Sequence, residues 1–299
     1  MLNLSNLLAV VDFRQSEHYA LPRAIELAKL FNCKLTVIAN VFESYTELLS
    51  LYSAINLEEI KQNAINEAKQ QLINLTDPIP HDDIEIDYQV TWNPSLHSGL
   101  TEYINQNNFD LVVKTTRKHN VLEKILFTPT DWHLLRDTET NVLFVQTENW
   151  KAKSSILGAI NINDDVKHKK LNEKIIQATS QLATALNCKS NIFNAFPWPA
   201  IDLERFNHLF DKQDLFLEIK SKHFELVNNA VDEVGSITGK AIIGEGLEPE
   251  DGIPEIAKST FSQIVVMGTV RRKGIEGMLI GNTAEKILDQ INCEVLAIK

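Results

Sequence analysis

The sequence is poor in cysteine and has no long apolar run. Its three cysteines, Cys33, Cys188 and Cys293, lie far apart and form no CxxC pair. An odd, sparse set of this kind is typical of a reducing compartment and argues against a disulfide framework or a zinc knuckle. The N-terminal apolar run, Leu7 to Val11, is too short for a signal sequence or a membrane span. We therefore expect a cytoplasmic protein that makes no membrane contact.

Positive charge and catalytic motifs are also scarce. The 299 residues include 29 Lys and Arg against 40 Asp and Glu, a net charge of −11, which argues against a broad nucleic-acid surface. A GxSxG elbow and a Walker A lysine motif are both absent, and the histidines form no HxxH or HxxxH pair. We predict no catalytic residue and no metal site. The pair Glu204 and His208, one helical turn apart, fits an ordinary amphipathic surface better than a metal site.

The sequence does contain an alternation of strands and helices that occurs twice. Continuous apolar runs are typical of strands buried on both faces, and apolar residues at helical spacing separate them. Strands that alternate with helices predict a parallel α/β sheet with right-handed crossovers. The predicted strands are 7–11, 33–39, 84–90, 110–113 and 142–145, then 156–160, 190–195, 241–245, 264–267 and 295–298. The main predicted helices are 20–31, 44–75 with a break near Asn56, 96–105, 129–136, 178–186, 202–234 and 253–259.

The recurrence shows in residues as well as in pattern. Leu27-Ala28 with Asn32-Cys33-Lys34 returns as Leu182-Ala183 with Asn187-Cys188-Lys189, at an offset of 155. Asp110 to Val113 returns as Gln263 to Val266, at an offset of 153. A period this long indicates duplicated domains and not a solenoid. We predict domains at 1–146 and 154–299, joined by a polar linker at 147–153.

The stretch from Gly268 to Leu288 carries the clearest functional signal. It follows the apolar run Ile264 to Met267 and leads into an amphipathic pattern, so it predicts a strand, a glycine-rich loop and a helix. Glycines let the backbone approach a ligand closely, and free N–H groups at a helix N-terminus attract anions. Ligands of parallel α/β sheets bind beyond the carboxyl ends of the strands. A phosphate site is therefore predicted at this loop.

The residues of this stretch resemble a known family. Gly268-x2-Arg271-x9-Gly281-Asn282-Thr283 is similar to the nucleotide loop of the universal stress proteins, G-x2-G-x9-G followed by small polar residues. The run Phe127 to Arg136 is a more specific signal, and the resemblance covers the whole chain as two tandem copies.

The resemblance implies two five-stranded, Rossmann-like parallel α/β domains that pair through their fifth strands, Val142–Val145 and Val295–Ile298, as an internal pseudo-dimer. Further dimerisation of the chain is compatible with it. It also implies a role in survival under stress, including resistance to DNA damage. The family contains both ATP binders and members that bind no nucleotide.

In the second domain the resemblance places ATP at Gly268, Arg271, Gly281, Asn282 and Thr283, together with Asn161, where the family commonly has Asp near the ribose. Arg271 replaces the middle glycine, and it either fills the phosphate space or pairs with phosphate. With Arg272 and Lys273 it also forms a run of three cations, which is more often an ordinary solvated loop, and we favour that interpretation. A ligand-free explanation is also open: Gly268 makes a tight turn, and Asn282 with Glu285 forms a capping box.

The first domain departs further from the family pattern. At the offset of 153, Gly268, Arg271, Gly281 and Asn282 correspond to Thr115, Lys118, Thr128 and Pro129. The run Thr128-Pro129-Thr130-Asp131 predicts a self-capped helix start, and the Asp131 carboxylate would repel phosphate. We predict no ATP site in residues 1–146, and we interpret Trp132 and His133 as packing and interface residues.

Two functional hypotheses remain. In the first, which we favour slightly, the chain is a non-enzymatic binding module that contacts protein partners or an apolar small molecule. A pocket for that molecule is predicted beneath helix 44–56 and the aromatic segment Phe193 to Phe224. In the second, the chain is an ATP sensor, with slow hydrolysis at most, that acts through the C-terminal domain alone.

Overall fold

The computed structural model describes residues 4–44, 56–118, 125–147, 150, 154–162, 166–197, 212–235, 237–269 and 282–299. The first half contains the elements β1 Asn6–Val11, α1 Ala20–Phe31, β2 Lys34–Val41, α2 Leu57–Thr76, β3 Ile86–Trp92, α3 Leu96–Gln106, β4 Leu111–Thr115, β5 Arg117–Lys118, β6 Ile125–Leu126, α4 Pro129–Asp137 and β7 Asn141–Val145. The short strands β5 and β6 form an antiparallel hairpin that the sequence pattern did not predict.

The second half repeats this order. Its elements are β8 Ser155–Ile160, α5 Val166–Ala185, β9 Lys189–Phe196, α6 Lys212–Val234, β10 Ala241–Glu245, α7 Pro249–Ser259, β11 Ser262–Gly268, α8 Asn282–Gln290 and β12 Glu294–Ile298. Helix α5 begins at Val166, well before the predicted start at Ala178. Its first turns carry the polar run His168-Lys169-Lys170, which hides the helical spacing of its apolar residues.

Local signals explain several helix ends. Asn56, where the sequence predicted a break, is the N-cap of α2, and its side chain accepts a hydrogen bond from the Glu59 N–H at 3.2 Å. Helices α1 and α5 end at Asn32 and Asn187, which adopt left-handed backbone conformations with φ of 50° and 48°. Asn tolerates this conformation better than most residues, so the repeated Asn-Cys-Lys motif marks equivalent helix ends.

All ten long strands form one sheet. Its order is β10-β9-β8-β11-β12-β7-β4-β1-β2-β3, so each half has the strand order 3-2-1-4-5. Pairing is parallel within each half and antiparallel between β7 and β12. At this seam Phe144 pairs with Val295, Leu143 with Leu296 and Val142 with Ala297. The predicted pairing through the fifth strands is confirmed.

The core lies on both faces of the sheet. One cluster joins α1, α2, α5 and α6 to alternate strand residues, and the other joins α3, α4, α7 and α8 to the remaining ones. Both clusters include residues from the two halves of the chain, so the seam is packed as core. Complete burial of each large apolar side chain stabilises the fold by about 1.5–3 kcal/mol.

A buried polar network crosses the seam near the linker. Arg23 of α1 is fully buried and pairs with Glu294, the first residue of β12. The indole Nε1 of Trp150 donates to Glu294 Oε2 at 2.8 Å, and the Arg23 guanidinium lies 3.7 Å from the centre of the Trp150 ring. Burial raises the pKa of Glu294 to about 7, although Arg23 and Trp150 oppose that shift. The network ties a first-domain helix, the linker and a second-domain strand together.

Replacement of Arg23 by Met is expected to destabilise the protein by about 3–5 kcal/mol, because it leaves the Glu294 carboxylate buried without its cation. Urea unfolding monitored by circular dichroism measures the loss. The control is Glu26→Gln, since Glu26 Oε2 lies 3.6 Å from Arg23 Nε but is exposed, and its loss is expected to cost less than about 1 kcal/mol. The double variant Arg23→Met/Glu294→Gln should recover much of the loss. Equal effects of Arg23→Met and Glu26→Gln would contradict this account.

Candidate functional site

Each half of the sheet has a switch in strand order between its first and fourth strands, where ligands of such sheets bind. In the first domain Asp12 follows β1 and Thr115 ends β4. In the second domain Asn161 follows β8 and Gly268 ends β11. Because the two half-sheets run antiparallel to each other, the carboxyl ends of their strands point in opposite directions. The two switch points therefore lie at opposite strand ends of the ten-stranded sheet.

The first-domain switch point contains a buried ion pair. Lys114 of β4 is 1% exposed, and its Nζ lies 2.6 Å from Oδ1 of Asp131, which is fully buried. Lys114 Nζ also donates to the carbonyl oxygen of Thr115 at 3.0 Å. The cleft between Asp12, His18 and Lys114 is too small to admit a water-sized sphere. Side chains of this domain therefore fill the strand ends where a ligand would bind.

The helix start beside this pair is the predicted self-capped one. Thr128 and Asp131 form a capping box at the start of α4, with Pro129 in the first turn. Asp131 Oδ2 accepts from the Thr128 N–H at 2.7 Å, from Thr128 Oγ1 at 2.8 Å and from Thr116 Oγ1 at 3.3 Å. The expectation that Asp131 repels phosphate from the loop needs correction, because its charge is buried against Lys114.

Asp12, which follows β1, is hydrogen-bonded to the nearby residue Arg14. Its oxygens accept from the side-chain nitrogens of Arg14 at 2.8 and 3.0 Å and from the Arg14 N–H at 3.1 Å. Burial acts to raise the pKa of Asp12, but Arg14 and the charge of Lys114 outweigh it and hold this pKa below its ordinary value. Asp12 is therefore a carboxylate engaged in local hydrogen bonds.

The second domain has no such ion pair at the equivalent positions. At the offset of 153, Lys114 corresponds to Met267 and Asp131 to Ala284. Met267 is buried in the apolar cluster of α7 and α8, and Ala284 packs against the same cluster. At these two described positions, the second domain has apolar side chains where the first domain has buried charges.

Gly268 has a packing role that the sequence did not reveal. It is the last residue of β11, and its φ is not in the left-handed region that only glycine adopts readily. A Cβ atom at this position would lie 2.4 Å from Leu171 Cδ2 and 2.9 Å from Leu171 Cγ. A side chain at this position would therefore require Leu171 of α5 to move.

The backbone of Asn161 is fixed by hydrogen bonds, and its side chain is exposed. Its N–H donates to Asn172 Oδ1 at 3.1 Å, and Asn172 Nδ2 donates to the Asn161 carbonyl at 2.8 Å. Asn172 is a buried residue of α5 that sequence reasoning missed. The predicted contact between Asn161 and a ribose stays a prediction.

The remaining predicted site residues are described only in part. Arg271 and Gly281 lie outside the described residues, and Asn282 is described as the first residue of α8 but not in its side chain. Thr283 is exposed on the first turn of that helix. Glu285 Oε1 lies 3.4 Å from Arg136 Nη2 of α4, and its capping box with Asn282 stays a prediction.

Trp132 and His133 lie on α4, near the seam. Trp132 packs against Phe127 with ring centres 5.2 Å apart, and Arg136 lies over its ring and reaches Glu285 of the second domain. His133 Nδ1 lies 2.7 Å from Asp137 Oδ2, and its ring stacks on His97 at 3.8 Å. Within the described part of the chain, no three His, Cys, Asp or Glu side chains are placed to hold a metal ion.

The aromatic segment of the second domain is only partly described. Phe193 is fully buried, and its ring packs where Cβ atoms on Gly244 and Gly252 would lie. Phe196 stacks on His223 of α6 at 4.3 Å, and His223 hydrogen-bonds Asn194. Trp198, Phe206, Phe210 and helix residues 45–55 lie outside the described residues. The apolar pocket beneath these segments stays a prediction.

The comparison with protein families now decides the identity of the fold. A family model described as "Universal stress protein family" matches residues 3–146 and 174–299. The chain belongs to the universal stress protein family. The resemblance drawn from the glycine loop and the run Phe127 to Arg136 is confirmed, and the family domain occurs twice.

Full-length relatives support this membership. The chain is 29% identical over 309 residues to "Universal stress protein E homolog" of Haemophilus influenzae, covering 100% of this chain and 98% of the relative. It is 29% identical over 301 residues to "Universal stress protein E" of Escherichia coli K12, covering 100% and 95%.

Solved structures agree in fold. A crystal structure of a universal stress protein from Pseudomonas aeruginosa matches with a TM-score of 0.74 and 25% identity, covering 100% of this chain and 94% of that one. A universal stress protein from Archaeoglobus fulgidus matches with a TM-score of 0.61 and 12% identity, covering 98% of both chains. None of the described helices is long and apolar enough to span a membrane.

Lys114→Met is expected to destabilise the protein by about 3–5 kcal/mol, because Asp131 then carries a buried, uncompensated charge. The matched variant Lys114→Met/Asp131→Ala installs the second-domain residues at both positions. It should lose much less, about 1 kcal/mol for the broken capping box. Urea unfolding of the full chain measures both losses, and an equally large loss in the double variant would contradict the role of the ion pair.

Acid should weaken the docking of α6. Burial lowers the pKa of His223 below its ordinary value of 6.5, so the unfolded chain takes up this proton first. The stability that His223 confers is complete above pH 6.5 and declines as the pH falls below that value. The difference in the free energy of unfolding between wild type and His223→Gln, measured in urea, is expected to become smaller as the pH falls from about 7.5 to about 5.5. A gap that stays constant with pH would rule out this linkage.

Proposed function

We propose that this universal stress protein is a non-enzymatic binding module that supports survival under stress, including resistance to DNA damage. The observation that carries the proposal is the buried Lys114–Asp131 ion pair, which occupies the first-domain switch point. A nucleotide at that place would have to displace both charges and leave each of them unpaired, at a cost of several kcal/mol. The first domain therefore serves as scaffold and binding surface.

Two second-domain residues have structural roles that need no ligand. Gly268 leaves room for the side chain of Leu171, and the backbone of Asn161 is fixed by Asn172. These contacts favour the module over the sensor, because two of the predicted nucleotide residues are explained by packing and by hydrogen bonds within the fold.

Partners of the module are proteins or an apolar small molecule. Exposed apolar side chains on α6, Leu217 and Phe224, offer contact area to a protein partner. The net charge of −11 disfavours a nucleic-acid partner.

The alternative function is ATP sensing by the second domain alone. It is favoured by the exposed side chain of Asn161 beside Gly268 and by the absence of an ion pair at Met267 and Ala284. In that case ATP binds once per chain at the loop that contains Arg271 and Gly281, with slow hydrolysis at most.

The Gly281→Asp variant separates the two functions, because a carboxylate in the loop repels phosphate. We expect cells that carry it in place of the wild type to survive stress equally well. The in vitro measurement is thermal stability with ATP: a bound ligand at 100 times its dissociation constant stabilises the fold by about 2.7 kcal/mol. The proposal predicts no such shift in the wild type.

The control is Lys114→Met/Asp131→Ala, which removes the first-domain ion pair. If ATP stabilises the wild type and this control but not Gly281→Asp, and Gly281→Asp also fails in the survival assay, the sensor is the correct function. Circular dichroism shows whether Gly281→Asp is folded. If it is unfolded and also fails in the survival assay, the failure is due to misfolding. The Gly281→Ala variant, titrated with ATP in the same way, then decides between the binding module and the ATP sensor.

A further inference from the structure

The outer strands of the ten-stranded sheet are β10 and β3, and among the described strands each of them pairs on one side only. In β10 the carbonyl of Lys240 accepts a hydrogen bond from β9, and the N–H of Gly246 donates one to β9. Backbone groups of successive residues point to alternate sides of a strand, so those of Ala241, Ile243 and Glu245 are directed to the free edge. An edge of this kind is a template for another extended chain.

Helix α6 places two apolar side chains beside this edge. Leu217 and Phe224 are 54% and 47% exposed, and they lie seven residues apart, on one side of the helix. Lys220, which lies between them, reaches β10, where its Nζ is 2.5 Å from Glu245 Oε1. On the other flank of the helix, Leu226 lines the groove toward α5. Leu217 and Phe224 therefore face outward, over the free edge of β10.

The opposite edge of the sheet provides an internal control. At the offset of 155, buried Val227 of α6 corresponds to buried Leu72 of α2, so the two helices present equivalent sides. The two exposed apolar residues of α6 then correspond to Gln62 and Lys69 of α2, which are also exposed. Polar and charged side chains are a usual protection of an edge strand. The second-domain edge lacks this protection at the same two positions.

The position of α6 favours a single extended segment at this edge over a second copy of the chain. Helix α6 packs on β10, so a second copy paired through its own β10 would bring its α6 over the neighbouring strand. Neighbouring strands are ~4.8 Å apart, whereas the axes of packed helices are about 8–10 Å apart. The two helices would collide, and a segment without a covering helix avoids that collision.

The charge at the carboxyl end of β10 defines one end of such a segment. Glu245, Glu248 and Asp251 are exposed there, at the end of the strand and the start of α7. A basic side chain beside them is electrostatically complementary. Antiparallel pairing is slightly more stable per residue than parallel pairing, and it places the amino end of the added strand next to these carboxylates.

We propose that the free edge of β10, with Leu217 and Phe224 above it, binds an extended apolar segment of a partner protein whose amino end is basic. The segment adds as an antiparallel strand, and its main chain bonds to Ala241, Ile243 and Glu245. Its alternate apolar side chains pack against Leu217, Phe224 and Ile243, which face the same side of the sheet. This inference rests on the proposed function and names the partner surface of the binding module.

The probe is a short fluorescein-labelled peptide in which two Arg precede alternating Val and Thr. Titrated with the full-length protein, it should give a saturable rise in fluorescence anisotropy. A peptide N-methylated at the amides that face β10 should bind roughly tenfold more weakly or worse, because it loses main-chain hydrogen bonds. Glu in place of the two Arg should also weaken binding. In amide hydrogen exchange, the unmethylated peptide should slow Ala241, Ile243 and Glu245 selectively.

The variant Leu217→Gln/Phe224→Gln tests the apolar flank without changing the net charge. It should bind the peptide roughly tenfold more weakly, while its urea midpoint stays close to that of wild type, because both side chains are exposed. The matched control is Leu226→Gln on the flank toward α5. Leu226 is 42% exposed, and its replacement should leave peptide binding unchanged.

The proposal is overturned if the peptide gives no saturable binding, if the N-methylated or Glu-containing peptide binds equally well, or if the double variant binds as the wild type does. A dimer in sedimentation velocity that the double variant abolishes would assign this edge to a second copy instead. None of these measurements uses ATP or the survival assay. Failure here therefore leaves the binding module standing, and the Gly281→Asp comparison tests that function separately.

Discussion

The antiparallel pairing of β7 with β12 is the constraint on which the rest of the molecule depends. It joins two parallel half-sheets into one sheet of ten strands, and it removes two edges that would otherwise pair with other chains. It also makes the strands of the two domains run in opposite directions. The carboxyl ends of the strands of one domain therefore lie beside the amino ends of the strands of the other. Arg23 pairs with Glu294 across this junction because of that arrangement. A parallel seam would put both switch points on the same side and would separate these two side chains.

Within this shared frame, the two domains differ at equivalent positions. The first has Lys114 and Asp131 where the second has Met267 and Ala284. A buried ion pair contributes little net stability compared with a well-packed apolar pair. Its main consequence is therefore local: it fills the strand ends of the first domain with a matched pair of charges. Duplication allows this change, because the second copy independently keeps the fold and two of the three glycines of the family's loop, Gly268 and Gly281.

Much of the fold could be predicted from the sequence, because strands buried on both faces leave continuous apolar runs and because the chain repeats itself. The helix start at Thr128 was predictable for a separate, local reason, because a capping box is encoded within four residues. Contacts between distant segments were not. Lys114 and Arg23 were missed because a cation in an isolated sequence is expected at the surface, and only the fold supplies the partners Asp131 and Glu294 that permit burial. For Gly268 only a ligand contact or a tight turn was considered, because the sequence does not show that Leu171 lies against it.

The distribution of unfavourable features also distinguishes the domains. In the first domain, Asp131 is ion-paired with Lys114 and hydrogen-bonded to Thr128, although its Oδ1 accepts no hydrogen bond from the described residues, and Asn141 is hydrogen-bonded to Asp110 and Lys299. In the second domain, Phe261 adopts an unfavourable backbone conformation and Glu294 retains an unpartnered oxygen. Local strain and unsatisfied polar groups persist only when the surrounding structure holds them in place. The seam provides that support at Glu294, because it pairs β12 with β7 and brings Arg23 of the first domain against the carboxyl group.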